Sequence, residues 1–360
     1  MEQKKSKRLA LRIAGVAIGA VLVGAVIAST DLHALALQMQ TVGWYFFGAI
    51  GVTFVAQFIA VVAWYKSFYI SLPKSSLLYL FNFRLIGESL AQINPTSVIA
   101  GETIKGFLLK TKLGVTYLEG AASLLLSRIM IIIGSLVLLV FGIGVMFQKL
   151  AYGSLQTLSI AISAGILILA VLFILALATG KGVLGWLAKL LQKNFARFTF
   201  ARKAADGLVQ VDAKLVEFYA KRRGAFYTVF ILSVLHRVVG AMEYYVIFYA
   251  LGIDVSPLSC ILFDLTTMLF KVAGFFIPGQ LGLEEFGNKL IFSLVNIPGN
   301  ETWITVSLVR RGRQLFWILL GFMIYLFFSK SAKQSEEIKA ETAINKTKAN
   351  NTDEDAVCNT

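Results

Sequence analysis

The chain has 360 residues, 57% of them hydrophobic and 15% charged, and a mean hydropathy of +0.75. Soluble globular domains run at about 45–50% apolar and about 25% charged, and two cysteines with two distant histidines make no disulfide framework, zinc site or haem site. A soluble enzyme, a disordered chain and a disulfide scaffold are excluded and a metalloenzyme or haem protein is not expected, which leaves an all-α polytopic membrane protein for which no cofactor is expected.

The net charge of +14 is unevenly placed. Residues 1–12 carry five basic groups against one acid, and residues 180–224 carry ten against three. In a membrane chain such asymmetry fixes sidedness, because basic loops stay in the cytoplasm. Nucleic-acid binding is not expected.

A helix needs about 20 mostly apolar residues to cross the hydrocarbon. Residues 9–29 supply a first span behind Lys4, Lys5, Lys7 and Arg8. The loop 30–42 has no Lys or Arg and is expected outside. Residues 44–65 cross back, with Trp44, Tyr45, Trp64 and Tyr65 at the rims. Residues 75–112 are not a plain span: the apolar run carries Arg84 and Glu88, stops at Asn94-Pro95, and resumes through Gly101-Glu102. Charges on both arms of a break predict a re-entrant helical hairpin, tolerated at membrane depth when it is buried in protein or lines a wet cavity. Spans at 114–147, with Arg128 embedded, and at 155–179 follow.

The basic loop 180–224 then falls in the cytoplasm, and Leu187, Leu190, Leu191, Phe195 and Phe198 recur at helical spacing, as in an amphipathic helix on anionic lipid. Residues 226–250 cross outward. A second charged, broken pair occupies 258–297, with Asp264, Lys271 and Pro278-Gly279-Gln280. Residues 303–329 form the last span, and 330–360, with no apolar period, read as a disordered cytoplasmic tail. The sum is about six full spans and two hairpins (six to eight transmembrane segments). One flippase-like domain over 1–329 and both termini in the cytoplasm complete this reading.

The two broken regions share a spacing. Pro95, Glu102 and Arg128 are each followed 183 residues later by Pro278, Glu285 and Arg311. Adding 183 to Trp44 reaches the start of the 226–250 span. One extra span separates the halves, so an inverted repeat over about 44–147 and 227–329 is expected, as in secondary transporters.

Charge at the bilayer centre costs about 2.5–3.5 kcal/mol or more per residue. The membrane region nevertheless holds Arg84, Glu88, Glu102, Arg128, Arg237, Glu243, Asp264, Lys271, Glu284, Glu285, Arg310, Arg311 and Arg313. The repeated positions Glu102, Arg128, Glu285 and Arg311 are read as functional. Arg84, Glu88, Glu243, Asp264 and Lys271 are read as supporting charges, and Arg237, Arg310 and Arg313 as structural pairs. Arg84 and Glu88 are four apart and share a helix face, as do His236 and Glu243, seven apart. Asn94-Pro95 and Pro278-Gly279-Gln280 would let half-helices begin inside the bilayer and aim N–H groups at an anion.

These segments resemble the flippase-like membrane domain of lysylphosphatidylglycerol synthases. The resemblance rests on Asn94-Pro95 with Gly101-Glu102, on Arg128, on Pro278-Gly279-x-Leu281-Gly282-x-Glu284-Glu285, and on the Arg310–Arg313 cluster. It implies movement of a polar or aminoacylated phospholipid between leaflets of the cell inner membrane. Arg128 and Arg311 would meet the phosphate, and Glu102 and Glu285 would hold them or meet a cationic headgroup. About thirty residues follow the last span, so lysyltransferase activity is not expected. A membrane enzyme that transfers a group onto a lipid, and a scaffold for lipid-synthesis enzymes, are the competing readings. Homo-oligomerisation is left open.

Overall fold

The computed structural model describes residue 33 and residues 40–91, 95–149, 185, 199–273, 283–295 and 302–328. Their regular elements are all helices: α1 (Tyr45–Lys66), α2 (Ser76–Ala91), α3 (Pro95–Leu113), α4 (Tyr117–Lys149), α5 (Thr199–Lys221), α6 (Arg223–Ala250), α7 (Pro257–Ala273) and α8 (Leu283–Val295), then α9 (Thr302–Phe328). Four stretches are long and apolar enough to cross a membrane: α1, residues Tyr117–Gly142 of α4, α6 and α9. They fall on the spans expected at 44–65, 114–147, 226–250 and 303–329. The chain is a polytopic helical membrane protein. The spans expected at 9–29 and 155–179, the apolar pattern at 187–198 and the tail 330–360 lie outside the described residues.

At 1.5 Å per residue, the 22 residues of α1 reach about 33 Å, enough for a hydrocarbon core of about 30 Å. Pro95 opens α3, where a missing N–H costs nothing because the first turn has no intrahelical acceptor for it. Gly114, at φ +68°, follows the last residue of α3, and Gly252, at φ +69°, closes α6. Both take the left-handed conformation that ends helices.

The repeat spacing is visible in the helices. The ends of α1 and α6 at Lys66 and Ala250 are 184 residues apart, and the starts of α2 and α7 at Ser76 and Pro257 are 181 apart. The equivalent helices α1 and α6 lie side by side and antiparallel. The Tyr45 and Tyr249 rings meet at 5.6 Å, and His236 Nδ1 donates to the Ala56 carbonyl at 2.8 Å. Two helices at corresponding positions running in opposite directions are the arrangement that the expected inverted repeat requires.

Each half also lends a short helix to the other. On α9, the Phe328 ring meets Phe83 of α2 edge-to-face at 6.1 Å, and the Trp317 carbonyl accepts from Ser89 Oγ at 3.2 Å. In the mirrored contact, Gly142 of α4 sits against Leu262 of α7. One apolar core gathers around Trp64, Phe68, Phe83 and Leu109 and another around Tyr244, Phe248, Phe263 and Phe292, and the second also takes in Ala49 of α1. Exposed Trp44, Phe47, Ile231 and Phe327 remain on the outer surface, as lipid-facing side chains do.

The helix α5 leads through Arg222 into α6. Arg222 donates to the Phe68 carbonyl at 3.2 Å and to Ser71 Oγ at 3.3 Å, and Lys214, Lys221 and Arg222 stand over the Tyr69 ring at 5.4–5.9 Å. Hydrogen bonds from Lys221 and Lys214 hold the Glu217 carboxyl down at about 2, against an ordinary 4.5. A depressed carboxylate contributes its stability above the ordinary value and loses it as pH falls toward the depressed one. The contribution of this surface pairing is therefore full above about pH 4.5 and is lost as pH falls toward 2.

Helices α2 and α3 cross at Gly87 and Gly101, where a Cβ on Gly101 would run into the Gly87 carbonyl oxygen. Gly101→Ala is expected to cost about 1–3 kcal/mol through overpacking against backbone. Gly106→Ala, which meets nothing within 4 Å, is expected to be neutral or stabilising. Thermal unfolding midpoints of the two variants in detergent provide the comparison, and equal midpoints would contradict the close crossing.

Candidate functional site

The first charged cluster is assembled from three helices. Arg84 and Glu88 share one face of α2, 4.0 Å apart. Glu102 and Lys105, one turn apart on α3, pair at 3.0 Å, and Lys105 also reaches Glu88 at 3.3 Å. Arg128 enters from α4 and bridges both carboxylates, with Nη2 at 2.5 Å from Glu88 Oε1 and 2.7 Å from Glu102 Oε1. Gln57 of α1 accepts from Arg84 Nε at 2.6 Å. Lys105 is 2% exposed. Its burial is compatible with charge because two carboxylates share its ammonium.

The second cluster occupies the other half. Arg310 of α9 is 5% exposed; it pairs with Glu243 at 3.3 Å and Asp264 at 3.4 Å, donates to the Tyr244 hydroxyl and lies 4.2 Å over the Tyr244 ring. Arg313 approaches Glu243 at 2.5 Å, and Arg237 approaches Asp264 at 3.4 Å. Tyr244 OH donates to Asn288 Oδ1 at 2.8 Å, and Asn288 Nδ2 donates to Ser307 Oγ at 2.7 Å. That chain of neutral bonds joins α6, α8 and α9 and fixes the guanidinium of Arg310.

One cavity of about 300 Å³ separates the clusters. Arg84, Glu88 and Arg128 line it from the first half, and Arg237, Glu243, Asp264, Arg310 and Arg313 from the second. Gln57 and His236 stand on its wall where α1 meets α6. Five guanidinium groups face three carboxylates across a small polar space. Such a space can take the place of water around a phosphate or another compact anion.

The sequence candidates are distributed unevenly over this site. Glu102, Arg128, Arg84, Glu88, Glu243 and Asp264 come together in the two clusters. Arg311 lies on α9, half-buried, and is not among the described residues that line the cavity. Asn94, Pro278, Gly279 and Gln280 lie outside the described residues, as do the side chains of Pro95, Lys271, Glu284 and Glu285. Sequence reasoning did not single out Lys105, Gln57, Tyr244 or Asn288. For Lys105 a signal existed, since it stands one helical turn from Glu102 on the same face. For the others the partners are distant in sequence, and no local spacing marks them.

Membrane-spanning helices around a charged cavity define an integral membrane protein. The sequence matches the family described as "Lysylphosphatidylglycerol synthase TM region" over residues 12–321, and the chain belongs to that family. This ties it to lipid synthesis or lipid translocation. No match was found among curated proteins or among solved structures.

Proposed function

We propose that the chain is a lipid translocator, in which a polar phospholipid headgroup crosses through the cavity while its acyl chains stay in the bilayer. The observation that carries this reading is a cavity walled by guanidinium groups from α2, α4, α6 and α9 among the described residues. A headgroup phosphate cannot enter hydrocarbon bare, because an isolated ion there costs tens of kcal/mol. Arginines held in place by Glu88, Glu102, Glu243 and Asp264 offer it preplaced donors instead. Rocking of one half against the other, about α1 and α6, would open the cavity to each leaflet in turn. The short hairpins α2–α3 and α7–α8, which start from opposite rims, act as re-entrant gates in this scheme. The chain moves the lipid and makes none of its bonds, and membrane lipids are its partners.

Charge supports an orientation. Exposed Lys66, Lys74, Lys110, Lys112, Lys221 and Arg223 gather at one rim, whereas the opposite rim, with Trp44, Tyr45 and Tyr249, carries Asp254 and no Lys or Arg between 245 and 257. The basic rim is assigned to the cytoplasm of the cell inner membrane. In a variant with Cys260 and Cys358 replaced by serine, an impermeant thiol reagent should label Ser256→Cys in intact cells. Lys74→Cys should react only after permeabilisation. The reverse pattern would invert the orientation.

The transport reading is tested by blocking the cavity. In vesicles holding the purified Gln57→Cys protein, the rate of lipid exchange is measured before and after modification with a bulky methanethiosulfonate, then after reduction. Loss on modification and recovery on reduction is the expected result. An unchanged rate in fully modified protein would show that lipid does not pass this way.

A further inference from the structure

We propose that Lys105 is a positioning residue for the cavity: it holds Glu88 and Glu102 from behind the wall, so that Arg128 can leave those carboxylates and meet an anion in the cavity. This rests on the translocator reading and deepens it by naming what regulates one guanidinium of that site. Two cations share the same two oxygens. Lys105 Nζ lies 3.0 Å from Glu102 Oε1 and 3.3 Å from Glu88 Oε1. Arg128 Nη2 lies 2.7 Å and 2.5 Å from the same atoms. Their surroundings differ. The Arg128 side chain is 36% exposed and lines the cavity, whereas that of Lys105 is 2% exposed and does not line it. A carboxylate oxygen has a limited number of lone pairs, so a weaker hold by one cation means a tighter hold by the other. With Lys105 in place, Arg128 withdraws without leaving a buried carboxylate uncompensated, which is the costly state.

The path of the lysine is built into α2. A Cβ at Gly87 would collide with Lys105 Cε and Cγ, so the missing side chain at 87 lets the stem cross α2 and bring its ammonium to Glu88. Lysine stems ordinarily carry the ammonium out to water; this one carries it inward to two carboxylates. The other cluster treats its arginine differently. Asn288, 183 residues after Lys105, is also fully buried. It accepts from the Tyr244 hydroxyl, which accepts in turn from Arg310. A neutral amide offers no charge to exchange with a guanidinium, and the Arg310 side chain is only 6% exposed. Arg128 is the guanidinium that moves, and Arg310 the one that stays.

Arg128 itself reports the effect, independently of transport. Purified full-length protein in phosphatidylcholine vesicles is treated with phenylglyoxal, and modification of Arg128 is followed by mass spectrometry of its peptide. Lys105→Met keeps the apolar stem and removes the ammonium, so Arg128 should be held more tightly and react about tenfold more slowly than in the wild type. Glu102→Gln should speed the reaction, and Lys105→Met combined with Glu102→Gln should bring it back near the wild-type rate. A lysine that serves the fold alone gives the opposite sign, because its loss loosens the crossing of α2 and α3 and bares Arg128. Unchanged or faster modification in folded Lys105→Met would overturn the proposal. If Lys105→Met does not fold, the double variant is compared with Glu102→Gln, since both retain the shared Glu88. Slower modification in the double variant upholds the proposal, and an equal or faster rate overturns it. Phosphatidylglycerol added to the vesicles should protect Arg128 in the wild type and about tenfold less well in Lys105→Met; equal protection in both would overturn the exchange. Equal protection of the wild type by inorganic phosphate would overturn the assignment of the anion to a lipid. The expected order of reactivities without lipid exchange by the wild type would uphold the role of Lys105 and overturn translocation.

Discussion

Arg310→Ala should strip the protein from the membrane. The side chain is almost completely buried and pairs with Glu243, Asp264 and Tyr244 at once. Removing it leaves carboxylates and a hydroxyl without their shared donor, at a cost of about 3–5 kcal/mol. A fold stabilised by about 5–15 kcal/mol loses a large part of its margin. The double exchange Arg310→Gln with Glu243→Gln removes one charge of each sign and should restore much of the level. Quantitative blots of isolated membranes provide the measurement. Normal abundance of Arg310→Ala would mean that the second cluster does not hold α9 to α6 and α7.

Arg128→Lys should do the opposite, keeping the protein and losing its transport. The guanidinium of Arg128 spans Glu88 and Glu102 simultaneously. Lys105 already pairs with both of those carboxylates, so a lysine at 128 leaves the charge count unchanged and the fold intact. The planar fork is lost, and with it the ability to hold two carboxylates and still present a donor to a phosphate. Lipid exchange is expected to fall by at least tenfold at normal membrane level. Normal exchange in this variant would show that a point charge suffices at 128. Arg311→Lys serves as the comparison on α9, where the cavity is lined by Arg310 and Arg313.

Much of the architecture was legible because membranes impose simple rules. Long apolar runs marked α1, α4, α6 and α9, and the 183-residue spacing raised the expectation that α1 and α6 correspond, which their antiparallel packing fits. The i, i+4 spacing of Arg84 and Glu88 likewise announced that they share a face. The cavity was harder to read. Glu88 and Arg128 are forty residues apart on different helices, and only the crossing of α2, α3 and α4 brings them together. The choice between Arg310 and Arg311 shows the same limit. The repeat register points to Arg311, yet successive helical residues point about 100° apart. The buried stripe of α9 runs through Val306, Val309 and Arg310. Which of two adjacent arginines turns inward is therefore decided by what α9 packs against, a tertiary property with no local spacing to announce it.

The central claim is that the two halves enclose a path for a lipid headgroup, and it is tested most directly by leaflet exchange in vesicles containing only the purified wild-type chain. An acyl-labelled anionic phospholipid is placed in both leaflets, and the fraction accessible to an impermeant quencher is followed over time. With protein present, the initially protected inner-leaflet pool should become accessible well beyond the half reached in protein-free vesicles, and Arg128→Lys should slow that exchange. Accessibility that stays at half with correctly inserted wild-type protein would contradict the account.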